Sequence, residues 1–164
     1  MKGLSIMKKL AVCAILAMLI CSISIGCLAA PAVISAYDGG TATGLMTVKK
    51  PETSVSSTTK QNYTLSAVCV SGATISLYSY NPADGQFYLK HDAYGAPLTK
   101  TVSASGVYLQ QVDLARETNY LLLRAESAPG VYQHVRLDIT LLDQSLLDSI
   151  RGFAANFRSI FGGW

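Results

Sequence analysis

From Tyr63 onward apolar and polar residues alternate with a period of two, the repeat of a strand with one buried face. Tyr63, Leu65, Ala67 and Cys69 share one face and Val68 and Val70 the other. This strand is therefore expected to be central and covered on both sides. Ser71-Gly72-Ala73 breaks it, and Ile75, Leu77 and Ser79 then alternate with Ser76, Tyr78 and Tyr80. Asn81-Pro82-Ala83-Asp84-Gly85 is a turn, because Pro presets φ and Gly accepts a positive φ. Phe87 and Leu89 mark a returning strand, and Tyr108, Gln110, Val112 and Leu114 a further one. Asn119 opens the run Tyr120-Leu121-Leu122-Leu123. In the last strand Val131, Gln133, Val135, Leu137, Ile139 and Leu141 line one face, with a single polar interruption. Tyr132, His134, Arg136, Asp138 and Thr140 line the other, which reads as solvated. About seven short strands with close turns and no helix between them predict an all-β, mainly antiparallel sandwich or barrel.

The pattern changes at both ends. Residues 37–62 are rich in Gly, Thr and Ser and read as a spacer or a loosely held edge strand. Only Leu45-Met46-Thr47-Val48 there has strand character, and Lys49-Lys50-Pro51 suits an edge. In 143–164 the spacing becomes helical: Leu146, Ile150, Phe153, Phe157 and Ile160 form a stripe flanked by Leu147, Ala154 and Phe161. The spacing predicts an amphipathic helix over 145–161, with Ser145 to Asp148 as a loose capping box and Gly162-Gly163 as its end. That helix either packs its stripe on an open face of the sandwich or offers Phe153, Phe157, Phe161 and Trp164 to a partner or a membrane surface.

At the N-terminus Lys8-Lys9 precede an apolar run from Leu10 to Ala30, the grammar of a secretory signal. Residues 1–36 are thus expected to be a signal peptide or a membrane anchor, since about 20 apolar residues can span a bilayer. Ala30-Pro31-Ala32 fits a small-x-small cleavage pattern but puts Pro31 after the scissile bond, and Ser35-Ala36 offers a later site. Ser24-Ile25-Gly26-Cys27 resembles a bacterial lipoprotein box. All three readings export the rest of the chain, to the medium or to the outer face of a bacterial cytoplasmic membrane.

Ser71-Gly72-Ala73-Thr74-Ile75-Ser76-Leu77-Tyr78 resembles the G-A-T-V-x-L-Y strand of bacterial Ig-like repeats. Ala104-Ser105-Gly106-Val107-Tyr108, followed by Val112-Asp113-Leu114, is similar to their D/S-G-x-F/Y…V-x-L strand. Thr118-Asn119-Tyr120-Leu121-Leu122-Leu123-Arg124-Ala125 looks like their G-x-N-x-I-x-V-x-A strand. The matches follow the family order across about residues 52–142. The stretch 79–102 is longer than the usual connection, and Glu117 stands where Gly is usual before the Asn. The resemblance implies an Ig-like β-sandwich over 63–142 serving as a spacer, adhesive or wall-binding module, with no catalytic residues to carry over.

Charge and composition narrow the function. The chain has 13 Lys+Arg and 10 Asp+Glu; Lys2, Lys8 and Lys9 belong to the leader, which leaves 10 of each sign in the exported part. That balance gives no electrostatic footprint for nucleic acid. Of the 4 cysteines only Cys69 lies outside the leader, so the exported part has no internal disulfide. His91, His134 and Cys69 are scattered, Asp84 and Asp92 sit at turns, and no phosphate loop or nucleophile elbow is present. The reading is therefore a non-enzyme with no cofactor or metal. All 9 tyrosines follow residue 36, and Tyr78, Tyr80, Tyr88 and Tyr94 surround the long insertion as candidate ligand-binding platforms. The function read from the sequence is an exported binding or adhesion module for cell-wall glycan or another surface protein. The alternative is a structural or assembly protein whose C-terminal helix docks a partner or membrane.

Overall fold

The computed structural model describes residues 30–161. Residues 1–29, most of the segment read as a signal or anchor, together with Gly162, Gly163 and Trp164, lie outside the described residues, as do the side chains of Phe157 and Phe161. In chain order the elements are β1 (Val33–Ser35), β2 (Met46–Lys50), β3 (Val55–Thr58), β4 (Asn62–Cys69) and β5 (Thr74–Asn81). They continue with β6 (Gln86–Leu89), β7 (Thr99–Thr101), β8 (Val107–Asp113), β9 (Glu117–Ala128), β10 (Val131–Leu141) and α1 (Gln144–Phe161). The described residues form an all-β fold with one helix.

The larger sheet has the order β1-β6-β5-β9-β10-β3, with β7 pairing the remaining length of the β5 edge that β6 leaves open. It is antiparallel except for β3, which runs parallel to β10. The smaller sheet is β2-β4-β8, wholly antiparallel. Inward side chains of both sheets form one core: Ile75, Leu77, Leu123 and Ile139 from the larger sheet meet Leu65, Ala67, Tyr108 and Val112 from the smaller. This facing of two sheets is sandwich-like, and period-two alternation on β4, β5 and β10 is what builds it. Each fully buried Leu or Ile contributes about 1.5–3 kcal/mol of apolar burial.

Gln133, the one polar residue in the inward row of β10, has a specific role. Its side-chain amide accepts from Met46 N at 2.9 Å and donates to Met46 O at 3.0 Å. It thereby imitates a strand backbone and ties β10 of one sheet to β2 of the other.

Three expectations change. β4 is central in its sheet, but Val68 and Val70 are 49% and 46% exposed, so only its inner face is covered. The stretch 37–62 supplies an edge strand, β2, and also β3, whose polar Ser-rich sequence pairs because β10 offers it a ladder. The outward face of β10 is not simply solvated, because the segment from Ile34 to Thr41 crosses the larger sheet from the β6 edge to β10. Ile34 packs with Tyr78, Phe87 and Leu122. Asp38 O meets His134 Nδ1 at 3.0 Å, and Tyr132 Oη donates to the Asp38 carboxylate at 3.2 Å. Thr41 N and Ala42 N both donate to Tyr132 O at 2.9 Å. Gly40 lets the strap pass this close: its φ is +83°, and a Cβ there would stand 3.1 Å from Tyr132 O.

Helix α1 forms as the spacing predicts, but Asp143 is its cap rather than Ser145. The Asp143 carboxylate accepts from Ser145 N at 2.8 Å. Ile150 and Phe153 are 55% and 71% exposed, so this part of the stripe keeps much of its surface in solvent. No helix among the described residues is long and apolar enough to cross a membrane.

Candidate functional site

The outer face of the larger sheet carries a row of aromatic side chains. β5, β6 and β9 are neighbours, so Tyr80 stands opposite Phe87 and one step along from the Ser79–Leu121 pair, beside Tyr120. The Tyr80 and Phe87 rings are 5.2 Å apart and tilted, and the Tyr80 and Tyr120 rings are 5.9 Å apart, edge to face. These are favourable quadrupolar arrangements. Arg136, on β10, lays its guanidinium 5.4 Å from the Phe87 ring, 5.8 Å from Tyr80 and 5.9 Å from Tyr120. Its Nε lies 3.6 Å from Asp138 Oδ1, and about half of the Arg136 side chain remains exposed. Tyr120 is 41% exposed. The row thus ends in a solvent-facing ring and a solvent-facing cation.

Tyr80 and Tyr120 also border a cleft of about 430 Å³ whose other walls include Lys90, Asp113, Glu117 and Asn119. The β8–β9 connection shapes this cleft through Asn119. Its side-chain carbonyl accepts from Ala115 N at 2.8 Å, and its amide donates to Ala115 O at 3.0 Å and to Ile139 O at 3.2 Å. The tight turn so held puts Glu117 at φ +73°, a left-handed conformation in a residue with a Cβ.

The neighbouring part of the same face is structural. Arg124 and Glu126 form a 2.8 Å ion pair with side chains only 10% and 11% exposed. The Arg124 guanidinium sits 3.8 Å over the Tyr132 ring. His134 is held by Asp38 O, with its side chain 4% exposed.

The four tyrosines singled out from the sequence separate in space. Tyr80 belongs to the aromatic row. Tyr78 lies on the same face but is fully buried, and its hydroxyl donates to Pro31 O at 2.9 Å. Burial pushes the Tyr78 phenol up to about 12, and the strap leaves it no surface to offer. Tyr78 is therefore part of the core and not a binding platform. Tyr88 stands opposite Ser79, on the other face of the sheet, and its hydroxyl bonds the Asp84 carboxylate. That bond to Asp84 raises the Tyr88 phenol above its ordinary value. Tyr94 is 96% exposed, in the turn between β6 and β7. The structure brings Tyr80 together with Phe87, Tyr120 and Arg136 instead. The sequence places Arg136 on an outer face and singles out Tyr80, but Phe87 reads as an apolar strand position and Tyr120 as part of an apolar run; the adjacency of all four depends on strand order.

Cys69 is buried and its thiol is pushed up to about 11 by desolvation, so it is a core residue and an unreactive one. Among the described residues no group of three or more His, Cys, Asp or Glu side chains is placed to hold a metal ion. No family model matches the chain, and no curated protein matches it in sequence.

Proposed function

We propose that this chain is an exported, non-enzymatic binding module of the Ig-like type, which holds a glycan of the bacterial cell surface at the Tyr80–Tyr120 cleft. The strand order supports the Ig-like part. With β4, β5, β8, β9 and β10 taken as strands B, C, E, F and G, one sheet is A-B-E and the other contains C-F-G, with β6 added beside C. The Asn119-held turn before strand F supports it too, because Glu117 adopts the positive φ that the family's usual Gly would favour. The antibody-type hallmarks, a disulfide between B and F and a buried Trp on C, are not part of this sequence.

The observation that carries the binding reading is the pairing of an exposed and a partly exposed tyrosine ring with ionic groups around one cleft. A sugar ring offers an apolar C–H face and a polar rim of hydroxyls. Tyr120 and Tyr80 suit the face; Lys90, Asp113 and Glu117 suit the rim, and Arg136 on β10 lies beside the Tyr120 ring next to the cleft. Export rests on the apolar leader, which the proposal takes as a signal or anchor. The test is retention on purified cell-wall glycan. Tyr120→Ala and Arg136→Ala should each weaken retention at least tenfold, while Tyr94→Ala leaves it unchanged. Retention that is absent in the native chain, or insensitive to both substitutions, removes the proposal.

The assembly alternative draws support from α1, where Ile150 stays largely exposed in the apolar stripe. It predicts that truncation after Leu142 abolishes association with a partner or membrane while glycan retention persists.

A further inference from the structure

The strands that end the two sheets are not equally protected. β1 and β3 are 3 and 4 residues long, too short to template much pairing. β2 ends in Lys49 and Lys50, runs into Pro51 and carries a register shift between Val48 and Lys50. Charge, proline and a bulge are the devices that discourage edge pairing. β8 has none of them. It runs 7 residues, Val107 to Asp113, without Lys, Arg, Pro or Gly, and pairs β4 in unbroken register.

Its free backbone groups can be assigned. Gly106 O accepts from Cys69 N, and Leu114 N donates to Gln61 O, which fixes the even-numbered residues of β8 as those bonded to β4. Val107, Leu109, Gln111 and Asp113 therefore turn their N–H and C=O toward the open edge. Two of these groups are met locally: Ser105 Oγ accepts from Val107 N at 3.4 Å, and Gln110 Nε2 donates to Gln111 O at 2.9 Å. Leu109 keeps both its N–H and its C=O for an incoming strand. The outward side chains beside this edge are apolar as well. Leu109 is 52% exposed and Val107 47%, next to Val68 and Val70 on the β4 side.

We propose that β8 is a self-association edge: two copies of this chain pair β8 with β8 in antiparallel register about a two-fold axis near Leu109. The smaller sheets of the two copies then become one continuous sheet. The choice of a second copy rests on charge. Two-fold antiparallel pairing about Leu109 opposes Leu109 to its own copy, Val107 to Gln111 and Ser105 to Asp113, so no like charges are set against each other. β8 is uncharged from Val107 to Val112, whereas two of the five residues of β2 are Lys49 and Lys50. The same symmetry extends the Val68, Val107 and Leu109 patch onto the partner's identical patch. This edge belongs to the smaller sheet; only its end, Val112 and Asp113, borders the Tyr80–Tyr120 cleft, and the mass of the assembly is read separately from glycan retention.

Sedimentation equilibrium of the full chain in detergent reads the result directly. The native chain should sediment with the mass of two copies, and Leu109→Lys should halve it. Leu109→Pro should do the same, because the lost N–H points to the open edge and the β4 ladder stays intact. Val55→Lys, at an apolar position 68% exposed on β3, should leave the mass doubled. Circular dichroism establishes that each variant is folded; if Pro disrupts the strand, the Lys variant decides. A native chain that sediments as one copy at every concentration overturns the proposal. So does a doubled mass that survives the Lys substitution, which would place the association elsewhere.

Discussion

Glu117 and Tyr108 each occupy a place that another residue would fill at lower cost. Glu117 has φ +73° and an open, solvent-facing side chain, so its backbone conformation carries a steric cost that Gly would not. Glu117→Gly should raise the unfolding free energy by up to about 1 kcal/mol, since relief of the left-handed strain exceeds the added freedom of the unfolded chain. Urea unfolding checks it; a loss of stability would mean that the carboxylate makes a compensating contact. Tyr108 is 1% exposed, and its hydroxyl has no hydrogen-bond partner among the described residues. Burial and the neighbouring Cys69 thiol both push its phenol well above the ordinary value. Tyr108→Phe keeps the ring and removes the stranded polar atom, so it should stabilise by about 1 kcal/mol in the same assay. Neither feature is written in a local motif. The resemblance marks Glu117 as out of pattern, but only the φ angle shows that the pattern's Gly answers a backbone need.

Elements differ in how much of their cause lies in their own residues. β10 and β4 announce themselves by alternation, since a half-buried face demands it. β3 does not: Val55-Ser56-Ser57-Thr58 becomes a strand by pairing with Asp138 to Leu141, some eighty residues away. β1 is hidden just after the apolar run that ends at Ala30, where composition alone says only that the residues avoid water. The same limit explains Tyr78 and Tyr80, which alternation places on one face without distinguishing them. The difference is one of degree of cover: Pro31 and the Ile34 cluster bury Tyr78 completely, whereas Tyr80 packs at the margin of that cluster and stays partly exposed. For α1 the apolar stripe is readable, but the cap reads as Ser145 and lies two residues earlier, at Asp143. The hydroxyl and the backbone N–H of Ser145 both bond Asp143 and hold its carboxyl below the usual range. A lowered folded value means that the cap contributes fully above the unfolded value, and its contribution fades as pH falls through the folded one. Helical circular dichroism should therefore drop in acid below the ordinary carboxylate range, and Asp143→Ala should remove that step. A step that persists in the variant would assign it to another group.

At the scale of the molecule the two sheets are joined by packing and, at one point, by hydrogen bonds. Gln133 is that point, and its position in an otherwise apolar row was legible as an exception but not as a link. Gln133→Ala should cost about 2–3 kcal/mol, because two part-buried groups of Met46 lose their partners. Gln133→Leu, which restores apolar volume but no hydrogen bonds, should recover only part of that loss. Equal stability of the native and Leu chains would show that packing alone holds β2 against β10.

The core has one further consequence. Cys69 is the single thiol in the described part of the chain, 7% exposed and held protonated at neutral pH by its surroundings. Reagents that alkylate thiolates reach it only when β2, β4 and β8 part. Its rate of modification, read on the peptide that contains it, is thus a clock for the opening of the smaller sheet under native conditions. The molecule carries its own stopwatch, wound by nothing more than the burial of one sulfur.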